Sequence, residues 1–246
     1  MDDMLYVAMS GAQETLIAQA AATNNLANAS TTGFLADLNQ FRSMPVFGDG
    51  HPTRVYAMDE RPTSTFDHGS LQYTGRDLDV ATKDGGWLAV QARDGGEAYS
   101  RRGDLRVDVN GLLVTGNNLP VMGNGGPITI PPFEKIDIGS DGTVSIRPLG
   151  AASQQLAVID RIKLVAPQFD QMEKGEDGLF RLQGGGEAEA DPVQRLVSGA
   201  LMSSNVNVVD EMVNMIELSR RFELQVKMMK TAEERSSAAS SIVRPV

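Results

Sequence analysis

Few side chains in this sequence are of the kind that do chemistry, and their spacing argues against it. The two histidines, His51 and His68, fall singly in a stretch punctuated by Pro45, Pro52 and Pro62. A zinc site needs three or four converging ligands, and the chain has no cysteine to complete one. Neither histidine sits near a nucleophile elbow, so a Ser-His-Asp arrangement has no foothold. Asp77 and Asp79 form an acid pair of the sort that cleaves glycosides, but alternate carboxylates more often decorate a solvated strand face. Asp108-Val109-Asn110-Gly111 echoes a calcium loop without the first Asp and the closing Glu that such a loop requires. Gly123-Asn124-Gly125-Gly126-Pro127 lacks the Lys-Ser or Lys-Thr of a phosphate cradle and opens no helix. The sequence therefore assigns no catalytic residue, no cofactor and no metal, and the protein is expected not to be an enzyme.

Composition narrows the remaining classes. A hydrophobic fraction of 41% is enough for a packed core, while 5% aromatics leave little to line a large ligand cavity. The net charge of −10 opposes nonspecific binding to nucleic acid or to an anionic membrane. Thr15 to Ala36 is free of charge, but Gln19, Asn24, Asn25, Asn28 and Ser30 make it too polar for hydrocarbon, so no membrane insertion is expected. The first basic side chain is Arg42. A cleavable leader needs a basic start, so none is expected at this N-terminus.

What the chain does contain is a repeated pattern at its two ends. Leu5, Met9, Ala12, Leu16, Gln19, Thr23 and Leu26 step alternately by four and three residues, and so do Val208, Met212, Met215, Ser219, Phe222, Val226 and Met229. That alternation is a helical seam with heptad spacing. Alanines at 8, 12, 18, 20, 21, 22 and 27 give the first helix high propensity and a thin profile. It ends in Asn24-Asn25-Leu26-Ala27-Asn28, a run of amides that compete for backbone hydrogen bonds, followed by Gly33. The second helix opens at Asn205 or Asn207 as N-cap, with Asp210 and Glu211 in its first turn and basic residues later, as the helix dipole favours.

Between the ends the texture is β. Asn110-Gly111 and Asp141-Gly142, each flanked by apolar runs, are strong hairpin signatures. Leu78-Asp79-Val80 and Trp87-Leu88-Ala89-Val90 read as strands on either side of a Lys83–Gly86 turn. Ile159 to Val165 alternates apolar and polar residues, Leu179–Leu182 reads as a further strand, and Gly184-Gly185-Gly186-Glu187 as an exposed tip. The fold class is therefore α+β, with long N- and C-terminal helices packed as a coiled-coil-like pair and a central, mostly antiparallel β domain. The divisions are 1–35 helical, 36–75 an extended connector, 76–200 β-rich and 201–246 helical.

The run Asn24-Asn25-Leu26-Ala27-Asn28-Ala29-Ser30-Thr31-Thr32-Gly33-Phe34 resembles the N-terminal signature of flagellar rod and hook proteins. Leu78-Asp79-Val80-Ala81 with Gly86-Trp87-Leu88-Ala89-Val90 resembles that family's first core strands, and Tyr99-Ser100-Arg101-Arg102-Gly103-Asp104-Leu105, followed by Asp108, Gly111 and Leu112-Leu113-Val114-Thr115, resembles its next hairpin. Ser204-Asn205-Val206-Asn207, with Met212, Ile216 and Arg221-Phe222-Glu223, is similar to the lead into its C-terminal helix. Within the family, Met1-Asp2, Tyr6, Pro45-Val46, Pro52-Thr53-Arg54 and the absence of an insertion after the first helix resemble proximal-rod members. Distal-rod or hook-type members remain an alternative, as does a periplasmic module binding cell wall. The resemblance implies a structural subunit of the basal-body rod in the periplasm, sent out through the flagellar export apparatus. It would self-associate, contact other proximal-rod and distal-rod proteins, and transmit torque as an adaptor. The parts at 1–35 and 201–246 would then form the rod core, with the β domain outside. Leu5, Met9, Ala12, Leu16 and Leu26 are expected to pack against Met212, Met215, Phe222, Val226 and Met229 of the same or a neighbouring subunit. Asn24, Asn25 and Asn28 are expected to set a bend or bond between subunits.

Overall fold

The computed structural model describes residues 4–45, 55–83, 85–150 and 156–243. The chain divides into two compact units. One is built from residues 1–29, 37–65 and 206–246, and the other from 30–36 and 66–205. His51 and Asp84 lie outside the described residues.

The first unit holds both long helices, α1 (Met4–Ala27) and α2 (Val208–Val243). They span about 36 and 54 Å at the usual rise per residue. Between them in sequence, β1 (Asp37–Pro45) and β2 (Val55–Ser64) form an antiparallel hairpin with an irregularity between Leu38 and Gln40. The sequence reads this stretch as irregular or extended; it is extended and also paired. Its pairing is hard to read because the usual alternation is missing. Phe41 and Met44 on β1, like Val55 and Met58 on β2, are all exposed, and prolines discourage a strand assignment.

The second unit is the β part, and every pairing of its named strands is antiparallel. A five-stranded sheet runs in the order Leu164–Val165, Trp87–Gln91, Glu97–Ser100, Phe180–Leu182 and Met172–Lys174. Along Trp87–Gln91 both faces are covered. Leu88 joins Val80, Leu105, Leu113, Ile138, Val144 and Ile162 on one side, while Trp87 and Ala89 join Tyr99, Val165, Met172 and Phe180 on the other. Side chains alternate across a strand, so a near-continuous apolar run belongs in a two-sided core.

The expected hairpins form. Leu105–Val107 pairs with Leu113–Thr115 around Asn110-Gly111, where Gly111 has φ +81° and a Cβ would lie 2.7 Å from the Ile130 carbonyl. Phe133–Ile138 pairs with Thr143–Pro148 around Asp141-Gly142, and Ala157–Arg161 completes that sheet. The strands flanking the Lys83–Gly86 turn part company: Val80–Thr82 pairs with Leu196–Ser198, and Trp87–Gln91 with Glu97–Ser100. Local turn residues therefore marked the corner without fixing the partner.

Asp79 departs from the solvated-face reading. It is buried, accepts a hydrogen bond from the Thr74 hydroxyl at 2.7 Å, and faces the Arg76 guanidinium at 3.6 Å. Its neighbour Asp77 is exposed. The pair thus cannot act together as two carboxylates in one cleft. Asp108 accepts from the Val109 N–H and from the Asn110 side chain, which is turn chemistry.

Candidate assembly surface

The two helices pack side by side and antiparallel. Asn25 meets Glu211, Ala18 and Ala22 meet Leu218, and Gly11 abuts Gln225; numbers rise along α1 as they fall along α2. A Cβ at Gly11 would come within 2.9 Å of the Gln225 side chain, so the approach there is close.

Small residues make that approach possible. Ala8, Ala12, Thr15, Ala18, Ala22 and Asn25 are the buried positions of α1. The buried Thr15 hydroxyl donates back to the Gly11 carbonyl at 2.7 Å, which satisfies it without a partner on α2. Apart from Thr231, the covered positions of α2 among the described side chains are Glu211, Met215, Leu218, Phe222, Gln225, Met229 and Ala232. They step by four and three throughout, so heptad spacing describes this face too.

The seam residues named from sequence divide between two surfaces. Ala12 and Asn25 are buried, and Leu26, Asn28, Met215, Phe222 and Met229 are half-buried. Leu5, Met9, Leu16, Asn24, Met212 and Val226 are exposed, with Met9 and Leu16 about half open to solvent at 51% and 50%. Sequence reasoning passed over Leu218 and the pairing role of Glu211, and of the alanines it placed only Ala12 at the interface. On α1, choosing the largest apolar residues selects the outward face. The spacing of Ala8, Ala12, Ala18 and Ala22 was the available sign of the inward one, because close helix approach demands small side chains.

Further apolar side chains extend the uncovered surface: Tyr6 and Ile17 on α1, and Val209, Val213, Ile216, Leu224 and Met228 on α2. Large apolar side chains therefore stand exposed on both helices. The asparagine run serves the helical unit from within. Asn25, 2% exposed, donates to the Asp37 carbonyl at 2.9 Å and to Glu211 Oε1 at 2.9 Å, and accepts from the Asp37 N–H at 2.7 Å. Asn24 donates to the Asp37 carboxylate at 2.6 Å, and Asn28 donates to the Asn24 carbonyl at 3.0 Å. At the start of α2, Asn207 is the N-cap: its Oδ1 accepts from the Val209 N–H at 3.1 Å.

In the β unit, Gly33-Phe34-Leu35 is anchored rather than loose. Gly33 has φ +68°, donates to the Met202 carbonyl at 2.8 Å, and leaves only 2.4 Å between a built Cβ and the Arg101 backbone. Phe34 lies under the Lys174 ammonium at 4.4 Å, and Leu35 is buried beside Trp87 and Tyr99. Arg101 itself stacks on Trp87 at 4.5 Å, and burial pulls its pKa down to about 10. Glu97, Lys163 and Tyr99 form a connected group: Lys163 donates to Glu97 at 2.7 Å, and the Tyr99 hydroxyl donates to Glu97 at 2.9 Å. Burial holds the Tyr99 hydroxyl well above its ordinary range. Every member of that group is occupied by another, which is the pattern of a structural network.

Three family descriptions match along the chain in order. "Flagella basal body rod protein" covers residues 5–34, "Flagellar hook protein FlgE/F/G D1 domain" 81–146, and "Flagellar basal body rod FlgEFG protein C-terminal" 197–242. The FlgF flagellar basal-body rod protein of Escherichia coli strain K12 is 41% identical over 249 residues, covering 99% of both chains. The chain belongs to the flagellar basal-body rod protein family.

The FlgF of Salmonella typhimurium strain LT2 is 42% identical over 249 residues, again with 99% of both chains covered. The FlgG of Bacillus subtilis strain 168 is 30% identical over 253 residues, with 94% of this chain covered. The rod protein is thus more similar to those two FlgF proteins than to that FlgG. Its family is one of structural rod components and is not known for enzymes. The first and last matched segments hold the helix residues described above, so the uncovered apolar faces lie within the family's own signature. Among the described residues, no helix is long and apolar enough to cross a membrane.

Proposed function

We propose that this rod protein is a subunit of the proximal rod of the bacterial flagellum, polymerising through its terminal helices. The observation that carries the reading is the outward apolar surface of α1 and α2, where Met9, Leu16, Ile216 and Leu224 are exposed in the single chain. Burying one such side chain contributes about 1.5–3 kcal/mol, so neighbouring copies have a large driving force to cover them. The helices would then act as a coiled-coil-like pair completed by adjacent subunits, with the inner face held by the alanine stripe and the outer face by partners.

The similarity to FlgF proteins supports a place as adaptor between other proximal-rod proteins and the distal-rod protein FlgG, passing torque along the rod where it crosses the periplasm. Delivery through the flagellar export apparatus is part of the same reading. Electron microscopy of intact basal bodies from cells making a labelled version of this chain tests the reading. Label between the other proximal-rod proteins and FlgG is the expected result. Label in the distal rod or hook, or none in the basal body, would overturn it.

A further inference from the structure

The chain passes between its two units near residues 29–37, 65–66 and 205–206. On the β side these crossings converge on one side chain. Asn205 Oδ1 accepts from the Ala36 N–H at 2.8 Å, its Nδ2 donates to the Asp67 carbonyl at 3.1 Å, and its own N–H donates to the Phe34 carbonyl at 3.4 Å. Just upstream, the Gly33 N–H donates to the Met202 carbonyl at 2.8 Å. Residues 34–36 and 203–207 belong to no strand. Their backbone groups therefore need partners from outside a ladder. An asparagine amide offers a donor and an acceptor on one rigid plane, so it can bridge two segments that are out of register with each other.

The helical unit ties the same segments separately. Asn25 bonds Asp37 at the start of β1 and Glu211 in the first turn of α2, and Asp37 is the register partner of Ser64 at the end of β2. We propose that Asn205 is a clasp: it binds the three connecting segments into one exit from the β unit, so that a displacement of any one is resisted by the other two. The inference stands on the hydrogen bonds alone and does not depend on the place of the protein in the rod.

Native-state amide exchange of the full chain, read by NMR, tests it. In Asn205→Ala the Ala36 amide is expected to exchange roughly tenfold faster or more, from the loss of one half-buried hydrogen bond. The Ala89 amide, bonded to the Lys163 carbonyl in the sheet, should keep its rate. In Asn205→Asp the side chain still accepts from the Ala36 N–H but no longer donates to the Asp67 carbonyl, so the clasp predicts faster Ala36 exchange than in the parent although its own acceptor remains. Unchanged Ala36 exchange in the alanine variant, or equal acceleration of Ala36 and Ala89, would overturn the clasp. So would full Ala36 protection in the aspartate variant.

Discussion

Asn25 donates from Nδ2 to Glu211 Oε1 at 2.9 Å, joining the end of α1 to the start of α2 across 186 positions of sequence. The bond is set in a buried amide that also holds both backbone groups of Asp37. A buried polar pair between helices rejects shifted alignments, since any slip leaves its donors and acceptors without partners. Here it fixes the antiparallel register from which the Ala18–Ala22–Leu218 contact follows.

Asn25→Ala is therefore expected to destabilise the helical unit by about 1–3 kcal/mol, the usual range for stranding buried partners. Glu211→Gln retains an acceptor and should change much less. A double-mutant cycle measured by denaturant titration of the helical signal should show coupling of about 1 kcal/mol between the two positions. Strict additivity would remove the register role.

The two faces of α1 should respond differently to substitution. Leu16→Asp alters a half-exposed position and should move monomer stability by only about 0.5 kcal/mol, while abolishing assembly into rods. Ala22→Leu inserts bulk where α1 meets Leu218 and should cost about 1–3 kcal/mol in the monomer. Thermal melts beside a motility complementation assay separate these outcomes. Normal motility with Leu16→Asp would show that the outward face is not an interface.

Gly33→Ala meets two obstacles at once. The backbone is left-handed at φ +68°, and the new methyl would press on the Arg101 carbonyl group. The expected loss is more than about 1 kcal/mol, because the strain adds to the steric conflict. Near-ultraviolet circular dichroism of Trp87, which carries Arg101 on its face, should report the displacement. An unchanged spectrum and melting point would contradict the close approach.

Acid should loosen the Asp141–Gly142 hairpin. Asp141 accepts from the Thr143 hydroxyl at 2.7 Å and from the Thr143 N–H at 3.1 Å, and these bonds hold its carboxyl below the ordinary 3.8. A carboxylate with a depressed folded-state pKa stabilises above its unfolded value, and that contribution is lost as pH falls through the folded one. Asp141→Asn should thus be less stable than the parent near neutral pH, with the difference shrinking as pH falls from the ordinary 3.8 through the lower folded-state value. Denaturant midpoints across that range check it; a gap independent of pH would exclude the charge as the cause.

Much of the β unit was legible because its turns are chemically specific. Asn110-Gly111 and Asp141-Gly142 each supply a glycine for positive φ, and each hairpin formed. The long-range pairings were not legible. Val80–Thr82 finds Leu196–Ser198, and Leu71–Tyr73 finds Ala200–Met202, and no local residue names a partner so distant in sequence. The hairpin β1–β2 was obscured for the opposite reason: apolar residues fall on both its faces, which erases the period of two.

At the helices, the four-three spacing by itself determined that both ends are helical and built to pair, and the Asn-to-Phe34 run marked the family. Tertiary structure decided which of two overlapping stripes turns inward. Close antiparallel approach admits Ala12, Ala18 and Ala22 and leaves Met9 and Leu16 outside. Periodicity defines an apolar direction around a helix to within about one residue step of 100°. Only the size of what must fit on the other side resolves the rest.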